Sequence, residues 1–252
     1  MMFAKRLISS VVSLSLVATM LMPMGVYAVE NETPAKKIGG KNFCTSINVR
    51  SSEIEKRMAE REGKVSQAQI ERMSKLTERR AERDDRLQKN RTENEAKRAE
   101  QFAKMTGKAT TDAQKAAVEA FKVTTANAIA TRKAAVDSAM STFRSGMDAL
   151  IASRKTSLNG IIAAYKSATS AALAKAKSDC ASGVDPDTAR ATFQASMKGA
   201  KDKMQTDRKA LEKVGASAEA LAKTRNASVK NATEAFQVTM KTARTTLQNA
   251  MK

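Results

Sequence analysis

The sequence contains no Trp and no His, and only 4% of its residues are aromatic. Without His, it lacks the side chain that most often acts as a general base or metal ligand near neutral pH. The chain has 10 Gly and 3 Pro among 252 residues, so it can form few turns. Because bulky apolar side chains are also few, a thick hydrophobic core is excluded and folded elements can bury only a narrow seam.

Ala, Lys, Arg, Thr, Ser and Met fill the chain instead. Ala, Lys, Arg and Met are strong helix formers, and their propensities add up over long windows. Apolar residues recur at steps of three and four, for example Met140, Phe143, Met147 and Leu150. The sequence therefore predicts an all-α fold in which long antiparallel helices form an elongated three-helix, coiled-coil-like bundle.

Residues 1–28 have the parts of a secretion signal in the right order. Lys5 and Arg6 precede an uncharged, mostly apolar run over 7–22, and small residues follow near Ala28. We therefore predict a signal peptide that is cleaved after Ala28, and export to the periplasm, the cell surface or the medium. The alternative is an uncleaved signal that anchors the chain, although its apolar run is near the short limit for a membrane span. No later segment is apolar enough to span.

A flexible linker is predicted at 29–45, because this stretch has no hydrophobic period. One elongated helical domain over 46–252 follows, with three helical segments at about 46–106, 112–181 and 186–251. In the first segment the apolar seam almost vanishes between residues 78 and 100, where Glu and Arg alternate. We expect this stretch to be either a single solvent-exposed helix or a frayed one.

The break between the first two segments has the residues of two helix ends. Gly107 suits the left-handed cap position after the first helix. Thr111 and Gln114 have the spacing of a capping box, in which each side chain binds a free backbone amide of the other residue.

The next break is the sharpest, because Gly183 can cap the outgoing helix and Asp185 with Pro186 can begin the next one. So short a connection makes the flanking helices antiparallel neighbours. Within the segments, we expect the second helix to continue through Gly160 and the third to bend at Gly215.

Two cysteines occur, Cys44 just before the first segment and Cys180 at the end of the second. An even number of Cys in an exported chain indicates a disulfide. The stretch from Cys44 to the turn near Lys108 and the stretch from that turn to Cys180 differ by only about eight residues, or roughly 12 Å of helix. An antiparallel hairpin therefore brings both Cys to the same end. We therefore predict a Cys44–Cys180 disulfide, with unpaired or intermolecular thiols as the alternative.

The net charge of +19 favours anionic partners, such as an envelope polymer, lipid head groups or an acidic protein. Residues 46–104 mix 16 basic with 12 acidic residues, and the remaining excess is spread along the chain without a compact block. These acidic residues are expected to form solvated ion pairs at helical spacing. No motif for catalysis, for a cofactor, for a metal or for a small-molecule substrate is found, so we expect a protein that is not an enzyme.

The sequence favours an extracytoplasmic structural, scaffold or interaction protein of the cell envelope that contacts anionic surfaces and that can self-associate as a homo-oligomer. In composition it loosely resembles the Skp-like chaperones, which are exported, basic and built from long helical arms. The resemblance involves no shared motif, and this chain is longer. It implies a periplasmic holdase as one alternative, and a polyanion-binding module is another, whose binding weakens steeply with salt.

Overall fold

The computed structural model describes residues 43–211 and 214–252 of the chain. They form four helices, which are α1 (Phe43–Lys108), α2 (Asp112–Ala181), α3 (Pro186–Ala210) and α4 (Val214–Ala250). No strand occurs in these two ranges. The predicted all-α bundle of long antiparallel helices is confirmed.

The amino-terminal predictions concern residues that mostly lie outside these ranges. The signal peptide, its cleavage after Ala28 and the linker over 29–42 are not among the described residues. The last three residues of the predicted linker, 43–45, belong to α1 instead, because Phe43 is buried in the helical core.

The turn between α1 and α2 differs from the prediction at one residue. Gly107 was expected in the left-handed conformation, but it is part of α1, and within the described residues only Gly183 has a positive φ. The Gly107 prediction is therefore wrong. α1 ends in a 3₁₀-type turn, in which the Ala109 amide donates to the carbonyl of Thr106, three residues earlier, at 3.2 Å. α2 begins three residues later, at Asp112.

The capping box that begins α2 is present. The amide of Gln114 donates to Thr111 Oγ1 at 3.2 Å, and the amide of Thr111 donates to Gln114 Oε1 at 3.3 Å. α2 then runs unbroken through Gly160 to Ala181.

The turn between α2 and α3 is fixed by backbone and side-chain hydrogen bonds. The amide of Val184 donates to the Asp179 carbonyl at 3.0 Å, and the amide of Gly183 donates to the Cys180 carbonyl. This pair of bonds needs a left-handed residue, which Gly183 provides with φ +73°. Asp185 then caps α3 by accepting a bond from the Thr188 amide at 3.0 Å.

The third predicted segment consists of two helices. α3 ends at Ala210 and α4 begins at Val214, so the interruption lies just before Gly215 and not at it. Arg154 of α2 donates from Nη1 to the Leu211 carbonyl at 3.2 Å. This bond satisfies one of the carbonyl groups that the end of α3 leaves free.

The chain forms two compact units, and α1 and α2 contribute to both. Unit 1 contains α1 up to Met73 together with Arg154–Gly215. Its buried core takes residues from α1, α2 and α3, namely Phe43, Ile47, Leu173, Ala176 and Ala189. The rings of Phe43 and Phe193 pack with centroids 5.9 Å apart. In this unit α1 and α2 are antiparallel, because Cys44 lies beside Cys180 and Glu62 pairs with Lys166.

Unit 2 contains Ser74–Ser153 and Ala216–Lys252. Its buried apolar residues are few and mostly small or flexible, among them Val118, Met147, Ala218, Ala222 and Met240. At Gly146 an added Cβ would lie 2.8 Å from Leu221 Cδ2, so the missing side chain lets α4 approach α2 closely. The seam of this unit is as thin as the composition predicts.

Candidate functional site

Arginines occupy the inward positions of α1 in unit 2. The half-buried residues of this stretch recur at helical spacing, and four of them are Arg80, Arg83, Arg91 and Arg98. An arginine can bury its aliphatic stem against a neighbouring helix while its guanidinium binds polar groups. The hydrophobic seam that the sequence lacks between residues 78 and 100 is therefore replaced by arginine side chains.

Ion pairs connect α1 to α2, and Arg80 and Arg91 take part in two of them. Each step forward along α1, first by four and then by seven residues, is matched by an equal step backward along α2. The pairs are Arg80–Asp148, Asp84–Arg144 and Arg91–Asp137. The expectation that this stretch is a lone exposed helix or frays is wrong, because its charged groups bind a second helix.

The pair between Asp84 and Arg144 is bidentate, with oxygen–nitrogen distances of 2.6 and 2.8 Å. Two parallel charge-assisted bonds of this kind are stronger than single ones. The hydrogen bonds from Arg144 hold the pKa of the Asp84 carboxyl below its usual value, although burial acts in the opposite direction. Arg80 makes the same two-pronged contact with Asp148, at 2.8 and 3.0 Å.

A further arginine reaches this region from α4. The guanidinium of Arg225 lies 4.5 Å from the centroid of the Phe143 ring. Its Nη2 and Nε donate to Asn226 Oδ1 at 2.8 and 3.1 Å. Burial lowers the pKa of Arg225, and the charge of Arg83 lowers it further. The two arginines are thus close enough to repel one another.

An open groove of about 330 Å³ runs between α2 and α4 in unit 2. The groove exists because the residues at 128, 135, 232 and 235 are alanines, whose short side chains do not fill the space between the helices, and Thr, Asn and Arg side chains also line it. Arg132 closes one side by lying over the Phe236 ring, 5.2 Å from its centroid.

The last part of α4 carries basic side chains without acidic ones. Lys223 and Lys230 pair with Glu219 and Glu234 along the helix, and the hydrogen bond from Lys223 to Glu219 raises the pKa of that lysine. After Glu234 the sequence has no further Asp or Glu.

Three basic residues follow in that acid-free stretch, Lys241, Arg244 and Lys252, and all three are exposed. Lys241 and Arg244 are three residues apart and therefore lie on one side of α4, and Lys252 follows just beyond its last residue, Ala250. We call these three residues the basic end of α4.

The predicted cysteine pair lies in unit 1. Cys44 and Cys180 are at disulfide distance, with sulfur atoms 2.01 Å apart and Cα atoms 5.3 Å apart. Both pack against the buried core that contains Phe43 and Leu173. The first turn of α1 is thereby held next to the last turn of α2.

Some large apolar side chains of α1 in unit 1 remain exposed. Ile70 and Met73 are 64% and 43% exposed and lie one turn apart, and Val49 is 72% exposed. No helix in 43–211 or 214–252 combines the length and hydropathy that a membrane span requires. The same ranges hold no cluster of acidic or sulfur side chains that could bind a metal ion.

Comparison of the chain with protein-family models, with curated proteins and with solved structures found no match.

Proposed function

We propose that this chain is an exported, non-enzymatic helical scaffold or interaction protein of the cell envelope that contacts anionic surfaces. Two properties support the proposal. Short side chains and ion pairs hold the helices together, which suits a spacer better than a molecule built around a deep pocket. The chain also has a large excess of basic groups.

The observation that carries the proposal is the basic end of α4. Lys241 and Arg244 are exposed on one side of α4, and the exposed Lys252 follows it, all in a stretch without acidic residues. Side chains that are not neutralised by their neighbours attract an anionic lipid surface by about 1 kcal/mol each. Lys223 and Lys230 provide an internal comparison, because each already has a carboxylate partner.

Binding to vesicles of phosphatidylglycerol and phosphatidylcholine, and to purified anionic wall polymer, tests the proposal. The variant Lys241→Gln/Arg244→Gln is expected to bind roughly 30-fold more weakly at low salt, from two lost contacts of about 1 kcal/mol. The control variant Lys223→Gln/Lys230→Gln loses the same charge from the same helix and should weaken binding much less.

Binding of the native chain should fall steeply as salt rises, because the contacts release counterions. Two results would overturn the proposal. One is no binding to any anionic surface at low salt, and the other is an equal loss of binding in both variants. Export itself is tested by amino-terminal sequencing of the processed chain, which should begin at Val29.

A periplasmic holdase is the second candidate, and the exposed pair Ile70 and Met73 favours it. A holdase binds apolar segments of unfolded clients through such surfaces. The variant Ile70→Ser/Met73→Ser should then lose the ability to suppress aggregation of an unfolded outer-membrane protein. If the native chain has no effect at stoichiometric excess, this candidate is eliminated.

Self-association is part of the first proposal, since seams this thin bury little area and gain stability from further helices. Light scattering behind size-exclusion chromatography measures it. A concentration-independent monomer mass at high micromolar concentration would remove the homo-oligomer.

A further inference from the structure

One level of unit 2 brings together arginines from three helices. Asp84 of α1 binds Arg144 of α2, and Arg83 is the neighbour of Asp84 in the chain. The residue before Arg144 is Phe143, whose ring carries the guanidinium of Arg225 from α4. Arg83, Arg144 and Arg225 therefore lie at the same height along the unit.

Two of these three charges, those of Arg83 and Arg225, have no ion-pair partner among the described residues. Arg83 is flanked in the sequence by Glu82 and Asp84, and Asp84 is used by Arg144. In the part of the chain that the structure describes, no carboxylate lies within the 4.0 Å ion-pair distance of Arg83 or Arg225. Asn226, the acceptor that Arg225 does have, is neutral.

Both unneutralised arginines are half-buried. A cation that is partly removed from water without a counter-charge is costly, and two such cations near each other cost more. The lowered pKa of Arg225, caused by burial and then by Arg83, is consistent with this position. In addition, the buried Nε of Arg144 donates no hydrogen bond to any described residue. The region thus has two guanidinium groups without a carboxylate partner and one buried N–H, that of Arg144 Nε, without an acceptor.

We propose that Arg83 and Arg225 hold a small phosphate-type oxyanion between α1 and α4 of unit 2. A guanidinium presents a planar fork of donors that matches two oxygens of a phosphate. Two forks on different helices need a ligand whose acceptors point in several directions, which a tetrahedral oxyanion has and chloride does not. The site is separate from the basic end of α4, and the proposal does not rest on the proposed function.

Thermal unfolding in sodium phosphate and in sodium chloride at matched ionic strength and pH tests the site. The native chain should show a saturable, phosphate-specific rise in Tm, because a ligand that binds only the folded state stabilises it. Arg83→Gln should raise the Tm in chloride alone, since it removes the repulsion, and should lose the phosphate response. Arg79→Gln is the matched control, because Arg79 is exposed one turn earlier on α1 and carries the same charge.

Arg225→Lys keeps the charge but removes the fork, so the phosphate Kd measured by calorimetry should rise about tenfold or more. Circular dichroism verifies that each variant is folded. If Arg225→Lys is not, Arg83→Gln with its control decides the test. Lys241→Gln/Arg244→Gln should keep the phosphate response, which separates this site from the surface contact proposed above.

Glycerol 3-phosphate in a parallel series distinguishes the source of the phosphate. A response to inorganic phosphate alone assigns a free ion, and a stronger response to the ester assigns a phosphate of a polymer or lipid head group. The proposal is overturned if neither compound shifts the Tm of the native chain beyond chloride. It is overturned equally if Arg83→Gln and Arg79→Gln respond alike.

Discussion

Reversal of the charges at Arg91 and Asp137 tests how α1 meets α2 in unit 2. The Arg91 side chain is 27% exposed and that of Asp137 is 43% exposed. Such a pair contributes about 0.5–1 kcal/mol. Arg91→Asp or Asp137→Arg removes this attraction and adds a repulsion of similar size, so each single variant should lose about 1–2 kcal/mol of unfolding free energy between the helices.

The double variant Arg91→Asp/Asp137→Arg restores an attractive pair in the opposite sense. Its coupling energy relative to the two single variants should be about 2–4 kcal/mol, measured by urea unfolding in a double-mutant cycle. Each substitution also changes the charge interaction with a neighbour one turn away on its own helix, which is Glu95 for residue 91 and Lys133 for residue 137. Each of these changes is the same in the single and the double variant, so it cancels in the coupling energy. The coupling should shrink as salt is added, because the pair is partly exposed.

A control cycle combines Arg91→Asp with Asp148→Arg. Asp148 pairs with Arg80 and lies eleven residues from Asp137 along α2, so these two changes should be additive within about 0.5 kcal/mol. A coupling near zero for Arg91 and Asp137, or an equal coupling in the control, would refute the register of α1 against α2.

Four further predictions concern single positions. Gly63→Ala should raise the unfolding free energy by about 0.5–1 kcal/mol in chemical denaturation, because the added Cβ meets no atom within 4 Å and Ala is the better helix former. Gly146→Ala should gain nothing or lose up to about 1 kcal/mol in the same assay, because its Cβ would lie 2.8 Å from Leu221 Cδ2; equal gains would contradict the close approach of α4. Gly183→Ala should cost about 1 kcal/mol or more, since φ is +73° there, and an unchanged stability would contradict a left-handed turn. The pKa of Asp84 lies below the ordinary 3.8, so its contribution to folding stability is complete above pH 3.8 and is lost as the pH falls through the lowered pKa. Asp84→Asn should therefore make stability fall less steeply with acid in a curve of unfolding free energy against pH. An unchanged acid limb would show that the ion pair is not formed.

The helices and most of their ends could be predicted because their causes are local. The capping box of Thr111 and Gln114 and the cap at Asp185 depend on residues within one turn of each other, and the structure has both. The left-handed conformation predicted for Gly107 was wrong, because whether a helix ends in a left-handed residue depends on the length of the turn that follows it. Here α2 starts so soon after α1 that a right-handed ending connects them.

The arginine seam of unit 2 could not be predicted from apolar periodicity. Arg80 and Arg91 occupy inward positions, but a search for hydrophobic steps treats them as surface residues. Their partners Asp148 and Asp137 are far away in the sequence, and the pairing follows only once the register of the hairpin is known. The signal that was available is the helical spacing of the arginines themselves at 80, 83, 91 and 98.

The interruption between α3 and α4 was also placed imperfectly. Gly215 was the expected bend because Gly is the weakest helix former in that stretch. α3 instead ends at Ala210 and α4 begins at Val214, and the bond between Arg154 and the Leu211 carbonyl lies at the end of α3. That contact comes from α2, so it depends on tertiary packing that a local propensity does not contain.

The most direct test of the antiparallel arrangement is a non-reducing peptide map of the protein purified without reductant. Cys44 and Cys180 are 136 residues apart in the sequence, and their Cα atoms are 5.3 Å apart in the fold. Monomeric protein should yield one cross-linked pair of peptides containing Cys44 and Cys180, which separates on reduction. Free thiols on the monomer, or cross-links only between two chains, would contradict this arrangement.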